Sequence, residues 1–380
     1  MRNVVILDPK GVISKGGKQT LNRHIEYSNL LAKATGDKCR LLVITCTKEK
    51  TEDVILKNLV VFNHALKRRS SLSFLRLALK TLRNKKVQVL VVGDPWSPFY
   101  LALVMKFLMN WRLPIQVQIH ADLFSREWLE GGPMNRAKSI LALPAIFFSN
   151  SLRFVSERQL MNATRKFKRA ESKSFVSPVF LQDYSGVPAR VKNPTSDSIT
   201  LGVLGRIHED RGLARLVPLM APVIESNPGV RVVIAGEGEY RAELEDQINS
   251  VGFSENFRFL GQIDELEMPR FWEQIDVLIS LAPSESYGRS IREALLAGIP
   301  VWAVESSGVV ELKEIAQKGE IQLIDFSLSP PAQLSTIEQI GLVTVGDELT
   351  ERIKLQNERG LQKLISSWVV EETSNFDGSH

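Results

Sequence analysis

Apolar residues along this chain alternate between two patterns. Short, almost unbroken runs rich in Val, Ile and Leu fall at 4–7, 40–45, 87–92 and 115–119. Longer stretches with helical spacing lie between them, as at 20–34 and 70–83. Strands separated by helix-length segments predict right-handed crossover units and a parallel sheet. The rhythm breaks over 182–197, which is rich in turn formers and poor in apolar side chains, so a linker is expected there. It then restarts, with strands at 199–204, 230–235, 257–260 and 276–280 and helices at 213–226, 240–251, 267–274 and from Gly288 onward. A last amphipathic helix covers 350–370, before a polar tail. The expected organisation is a first domain over 1–182, a linker over 183–198, a second domain over 199–349, and a C-terminal helix and tail over 350–380 that packs back toward the first domain. Each domain is expected to be a doubly wound, Rossmann-like α/β sheet, the two facing one another across a cleft.

The 380 residues are 44% apolar, which suits a folded protein of two domains. Cys39 and Cys46 are the only cysteines, too few for a disulfide framework or a four-cysteine zinc site. The first residues enter a strand at once, without the longer apolar stretch and cleavage site of a signal peptide. Residues 98–111 form the most apolar helix candidate, but this segment is too short to span a bilayer and contains Lys106. A cytoplasmic location is expected. The net charge of +5 hides an asymmetry: residues 1–190 carry 32 Lys and Arg against 13 Asp and Glu, whereas 191–380 carry 16 against 30. The basic half suits an anionic membrane surface or a phosphate-bearing substrate. Its clusters, Lys67-Arg68-Arg69, Lys85-Lys86 and 165–169, also fit solvated helix faces. Aromatic and basic residues do not interleave as they do on single-stranded nucleic acid, and no nucleic-acid partner is expected.

The most informative segment runs from Leu281 to Val301. A strand ends in a turn carrying Glu285, and Gly288 then opens a helix whose first turns hold Glu293. In open α/β sheets, ligands dock outside the carboxyl ends of strands, where helix N-termini offer free N–H groups and partial positive charge to anions. Acidic hydrogen-bond acceptors beside such a helix start suit a molecule that is part polyol and part phosphate, as a nucleotide sugar is. The same two residues also read as a charged helix start and a solvated loop. After the first strand of the second half, Gly205 permits a tight turn, and Arg206 and Arg211 flank the loop that follows. Guanidinium groups match phosphate in a bidentate way, although an Arg pair in a loop is often surface charge alone. Across from the Glu285 loop, the pair would clamp a diphosphate.

Other candidates are more ambiguous. Gly16-Gly17-Lys18 follows the first strand and precedes a helix, yet the P-loop spacing fails: Val12 stands where its first glycine would be and Gln19 where Ser or Thr would be. A paired-glycine loop that lets a ligand approach the backbone remains open. His120-Ala121-Asp122 and Asp94-Pro95 each end a strand, and each reads as cleft groups or as a cap or turn. Gly236-Glu237-Gly238 lacks a third glycine and reads as a turn. The sequence holds no Asp-x-Asp and no clustered metal ligands, so no metal is expected.

With those residues in this order, the chain resembles the retaining GT-B glycosyltransferases of family four. The resemblance covers 200–312 through Gly205-Arg206, Arg211-Gly212, residues 233–239, Asn256 to Gly261, the run from Pro283 to Gly288, Glu293-Ala294, Ala297 to Val301, and Ser307-Gly308 with Glu311. The first half matches more loosely, through Gly16-Gly17, Asp94-Pro95, His120-Ala121-Asp122 and Val155-Ser156. It implies a GT-B fold and retaining transfer of a sugar from a UDP- or GDP-type nucleoside diphosphate to an acceptor hydroxyl, without cofactor or metal. Glu285 would hold donor-sugar hydroxyls, Glu293 the ribose, and Arg206 and Arg211 the diphosphate. Backbone amides of Gly16 and Gly17 would approach that diphosphate, with His120 beside the anomeric centre. Tyr287 and Gly288 belong to the same donor motif, and Lys18, Asp94 and Asp122 are expected on the acceptor side. Arg211 stands where the family usually has Lys, and the family's Pro-Asn-Gly-Val-Asp at the end of the first domain is reduced to Ser177-Pro178-Val179. With the basic first half, the expected acceptor is a glycan or lipid-linked glycan of surface polysaccharide or glycolipid synthesis, met at an anionic membrane face. A silent nucleotide-sugar-binding subunit or sensor, and a phosphorylase or synthase on the same scaffold, are the competing readings.

Overall fold

The computed structural model of the chain describes residues 1–15, 17–47, 51–66, 70–182, 184, 187 and 198–369; the side chains of 17–19 and 331 lie outside that description. The expected linker, the Lys67-Arg68-Arg69 cluster, Gly16 and the polar tail fall wholly or mostly outside it as well.

Two parallel sheets organise the molecule. The first contains β1 (Arg2–Asp8), β2 (Cys39–Thr47), β3 (Val54–Ile55), β4 (Leu59–Ala65), β5 (Val87–Val92), β6 (Ile115–Ile119), β7 (Ser151–Phe154) and β8 (Ser174–Val176). Their spatial order is β3-β4-β2-β1-β5-β6-β7-β8, and only the short β3 runs antiparallel to its neighbour. The second contains β9 (Thr200–Leu204), β10 (Arg231–Ala235), β11 (Phe257–Gly261), β12 (Val277–Ser280), β13 (Val301–Ala303) and β14 (Ile321–Leu323), in the order β11-β10-β9-β12-β13-β14. Both are doubly wound, with helices on each face.

The unbroken apolar runs follow from that layering, because a strand covered on both faces has no solvent side for polar residues. In β1, Val5 and Leu7 join a core that contains Phe74, Phe99, Met105 and Ile146. Val4 and Ile6 point the other way, into a core with Tyr27, Leu31 and Trp368. The period of two thus distributes one strand between two hydrophobic layers. In the second domain Val203 and Ile234 pack with Leu216 and Met220, while Val233 and Leu278 pack with Trp272 and Ile291. The sequence pattern did not mark β3, β4, β7, β8, β13 or β14. Several span only two to four residues, too few for a periodicity to register.

The helix Asp347–Trp368 joins the two domains. Its Leu349 and Ile353 belong to the core of the second domain, and its Leu364, Ile365 and Trp368 to that of the first. Trp368 is fully buried and donates from Nε1 to Gln116 Oε1 at 2.8 Å, while Gln88 Nε2 donates to the Trp368 carbonyl at 2.9 Å. Midway, a Cβ on Gly360 would lie 2.1 Å from Pro178 Cδ, so the absence of a side chain is what permits this close crossing. Replacing Trp368 with Ala should cost about 3–5 kcal/mol, from lost packing and from the unpaired Gln116. A denaturant midpoint equal to that of the unaltered protein would contradict this anchoring role.

Candidate active site

The loop after β9 turns at Gly205 and passes through the short helical turn Glu209–Arg211 to Gly212. Gly212 has φ of 68°, and a Cβ there would sit 2.2 Å from the Leu281 carbonyl oxygen, just past β12. Only glycine allows the two loops to press together in this way. The result is that Arg211 Nη1 lies 2.5 Å from Glu285 Oε2. Glu285 Oε1 also accepts the backbone N–H of Gly288 at 3.2 Å. Gly288, at φ 71°, caps the helix Arg289–Leu296, which turns its N-terminal N–H groups toward the same space.

Glu293 lies about one turn into that helix and is almost wholly buried. Its carboxylate accepts from Arg289 Nε at 2.9 Å and from the backbone N–H of Gln182. Burial pushes its pKa up, opposed by the charge and hydrogen bond of Arg289. Arg211, Glu285, Arg289, Ser290, Glu293 and the Gly205 backbone border an open hollow of about 250 Å3. Arg206 is more exposed: it pairs with Asp210 at 2.8 Å and lines a smaller adjoining recess that shares Arg211 and Ser290 with the hollow. The structure therefore brings Glu285, Glu293, Arg211 and the Gly288 helix start together, with Arg206 at their edge.

A second hollow, of about 210 Å3, opens in the first domain around Asp8, Lys10, Arg23, Asp94, His120 and Arg153. His120 keeps an open face to solvent, yet protein crowds the rest of its surroundings. Desolvation first, and then the positive charges of Arg153 and Arg23, hold its pKa well below the ordinary imidazole value, so the ring is neutral at physiological pH. Arg23 also lies within electrostatic reach of Arg289 from the second domain. This cation therefore stands between the two hollows.

Two expected site residues are placed elsewhere. Tyr287 does not border the Arg211–Glu285 hollow: its ring is buried beneath the Arg292 guanidinium, 3.8 Å from the ring centre, and its hydroxyl accepts from Asn357 at 3.4 Å. Burial of the ring and a cation–π contact favour that position. Asp122 is also buried, and it joins the domains, accepting from Ser307 Oγ at 2.7 Å and from Asn162 Nδ2 at 3.0 Å. Burial raises its pKa against those hydrogen bonds. Asp94 stays at its hollow, bound to Lys10 Nζ at 2.7 Å and accepting the N–H of Trp96 at 3.0 Å in a turn. Gly17 opens the long helix Gly17–Thr35, whereas Gly16 and the side chain of Lys18 are outside the described residues. Arg23, Arg153 and Arg289 escaped the sequence reading. Only Arg289 carried a signal, since it follows directly on the Gly288 helix start.

Residues 189–324 match the family of group 1 glycosyl transferases. Over 118 residues the chain is 29% identical to 2-deoxystreptamine glucosyltransferase of Streptomyces kanamyceticus, a match covering 31% of this chain and 30% of that protein. Over 104 residues it is 30% identical to alpha-monoglucosyldiacylglycerol synthase of Streptococcus pneumoniae, covering 27% of this chain and 24% of the relative. The chain thus matches less than a third of the length of these relatives. In three dimensions it superposes on Anabaena HepE, crystallised with UDP and glucose, with a TM-score of 0.67 and 18% identity over 96% of this chain and 99% of that one. The likeness extends over both domains and establishes a shared GT-B fold.

His24, on the wall of the first-domain hollow, supplies a pH test. It is buried, its Nδ1 lies 2.7 Å from the Thr20 carbonyl, and desolvation aided by Arg23 lowers its pKa to about 4. The folded value lies below that of the unfolded chain. Its contribution to stability is therefore complete above about pH 6.5 and is lost as pH falls toward about 4, an effect on the order of 3 kcal/mol. Urea unfolding across that range should show a shallower loss for His24→Gln than for the unaltered protein. Identical slopes would rule out His24 as the source.

Proposed function

We propose that this chain, whose residues 189–324 match the group 1 glycosyl transferases, moves a sugar from a nucleoside-diphosphate sugar to an acceptor hydroxyl, with retention at the anomeric carbon. The observation that carries this reading is the convergence of Arg211, Glu285 and the Gly288 helix start on one hollow.

In this reading, the acceptor oxygen bonds to the anomeric carbon on the face the diphosphate leaves, as the bond from that carbon to the diphosphate oxygen breaks and the acceptor's hydroxyl proton passes to that leaving oxygen. Negative charge grows on the leaving diphosphate, and pre-positioned cations and N–H groups there lower the barrier more than they stabilise the ground state. Arg211, Arg206 and the amides at the start of Arg289–Leu296 fill that role, and Gly17, at the start of the helix Gly17–Thr35, approaches from the first domain. Glu285 holds sugar hydroxyls, its position fixed by the Gly288 N–H as well as by Arg211. Glu293 holds the ribose, its carboxylate oriented by Arg289. His120, being neutral, serves as a hydrogen-bonding group beside the anomeric centre and adds no charge there. The transfer proceeds without a metal.

UDP is the favoured nucleotide, since HepE of the same fold is described with UDP and glucose. A lipid-linked or glycolipid acceptor is supported by the basic first domain and by the diacylglycerol named in the Streptococcus pneumoniae relative. In the described residues no helix is long and apolar enough to cross a membrane. We place the protein on the cytoplasmic side, acting at the membrane face.

UDP-, GDP- and ADP-sugars compared by thermal shift should stabilise the protein selectively, with UDP-sugars the strongest. Glu285→Ala and Arg211→Ala should each lower transfer by about 100-fold or more while leaving circular dichroism unchanged. Release of nucleoside diphosphate, rather than of sugar phosphate, should accompany turnover. Wild-type turnover in either variant would refute the assignment.

A further inference from the structure

The outward faces of two helices in the first domain carry apolar side chains that no described residue covers. Helix Ser97–Met109 buries Pro98, Phe99, Leu101, Ala102 and Met105 against the sheet. Its other side, continued just past its end, presents Tyr100, Val104, Phe107, Leu108 and Trp111, with Phe107 83% and Trp111 70% exposed. That spacing is a single helical stripe. The neighbouring helix Pro133–Phe148 adds Met134, Ile140, Leu141, Phe147 and Phe148. The two helices lie side by side, for the Tyr100 hydroxyl donates to the Leu141 carbonyl at 2.9 Å and Lys106 Nζ to Asn150 Oδ1 at 3.3 Å. Ten of the 22 large apolar side chains exposed among the described residues belong to this face, so they form a patch and not a scatter.

Charge selects the partner. Neither 97–112 nor 133–150 contains an Asp or Glu, while Lys106, Arg112, Arg136 and Lys138 lie within these segments. The Arg112 guanidinium stands 5.8 Å from the Trp111 ring centre. Lys173 adds a cation at the end of the second helix, bonded to the carbonyls of Phe147 and Ser149. Aromatic and aliphatic side chains beside cations, without carboxylates, match the boundary between lipid headgroups and acyl chains. A second copy of the chain packed through this same face would instead set cation against cation. We propose that this face inserts shallowly into an anionic lipid bilayer and docks the first domain on the membrane without crossing it. The first turn of the same helix, through Pro98, lines the hollow that holds His120. Docking therefore sets that hollow near the lipid surface. This consequence for the acceptor rests on the function proposed above, whereas the docking does not.

The test is co-sedimentation of the full chain with phosphatidylcholine vesicles, with and without phosphatidylglycerol. The unaltered protein should pellet with the anionic vesicles. The double variant Phe107→Ser, Trp111→Ser should bind them about tenfold more weakly or worse. Its thermal unfolding should be unchanged, since both side chains are exposed. Leu266→Ser, at an 85% exposed position in the second domain, should bind as the unaltered protein does. Unaltered protein left in the supernatant with anionic vesicles overturns the proposal, as does a double variant that binds normally. It also falls if, without lipid, the double variant turns a dimer into a monomer, because the face is then a contact between copies. Nucleotide-sugar thermal shifts on the same samples separate the two ideas. Vesicle binding without a donor response sinks the functional reading alone, and the reverse sinks the docking alone.

Discussion

The donor-side geometry depends on where the strand order of the second sheet reverses. From β9 the chain proceeds outward to β10 and β11, then returns to place β12 on the other side of β9. The loops leaving β9 and β12 therefore diverge from adjacent strands, and a crevice opens at their carboxyl ends. Distant segments of sequence meet there: the Arg211 loop from one strand and the Glu285 loop from the other. The contact of Gly212 on the Leu281 carbonyl keeps that meeting close, since any side chain at 212 would drive the loops apart. Each of these two side chains holds the other in position, and the Gly288 N–H fixes the carboxylate a second time.

Around this centre the positive charge is deliberately uneven. Arg211 and Arg289 are each matched by a carboxylate, Glu285 and Glu293 respectively. Arg23, reaching from the first domain, instead loses solvent to burial, which lowers its pKa, and to a smaller extent feels repulsion from Arg289. Such cations are a cost to the folded protein unless an anion comes between them. A diphosphate in the gap would turn that repulsion into attraction for groups on both domains. The domains are already tied by Asp122 to Ser307 and by the helix ending at Trp368, so the cations are held near one another without a ligand's help.

The sequence exposed the features whose chemistry is local. Strands buried on both faces wrote themselves as apolar runs, and Gly205, Gly212 and Gly288 marked loops whose φ values favour glycine. Glu285, Glu293 and Arg211 could be grouped because each sits immediately after a strand or at a helix start. What stayed hidden depends on direction and distance. Tyr287 adjoins Gly288 in sequence, yet its ring turns into the core beneath Arg292. Asp122 ends its strand at the cleft, as expected, but the partner that claims it, Ser307, belongs to the other domain. Arg23 and Arg153 gain meaning only once two domains close around them, and nothing in their neighbours along the chain reveals that. The short strands β13 and β14 were invisible for a simpler reason: three residues cannot display a period.

Helix Ser97–Met109 is apolar on both faces. From sequence alone it is the most apolar helix candidate, and its inner half is core, with Phe99, Ala102 and Met105 fully buried. Folding requires no more than that half, because beyond the bond from Tyr100 to the neighbouring helix the outer stripe stays exposed and gains nothing from the sheet beneath it. Exposed Phe and Trp contribute no stability to a monomer and raise the risk of aggregation. Single exposed apolar residues need no explanation, but a stripe on one helix that continues onto its neighbour does. The same helix begins at the hollow beside His120 and ends at Trp111, so one rigid element links the chemistry of the cleft to the uncovered face. If the acceptor is carried on a lipid, this is the shortest path in the fold from a bilayer to the anomeric centre, and the placement of its apolar residues then follows from the reaction and not from the stability of the domain.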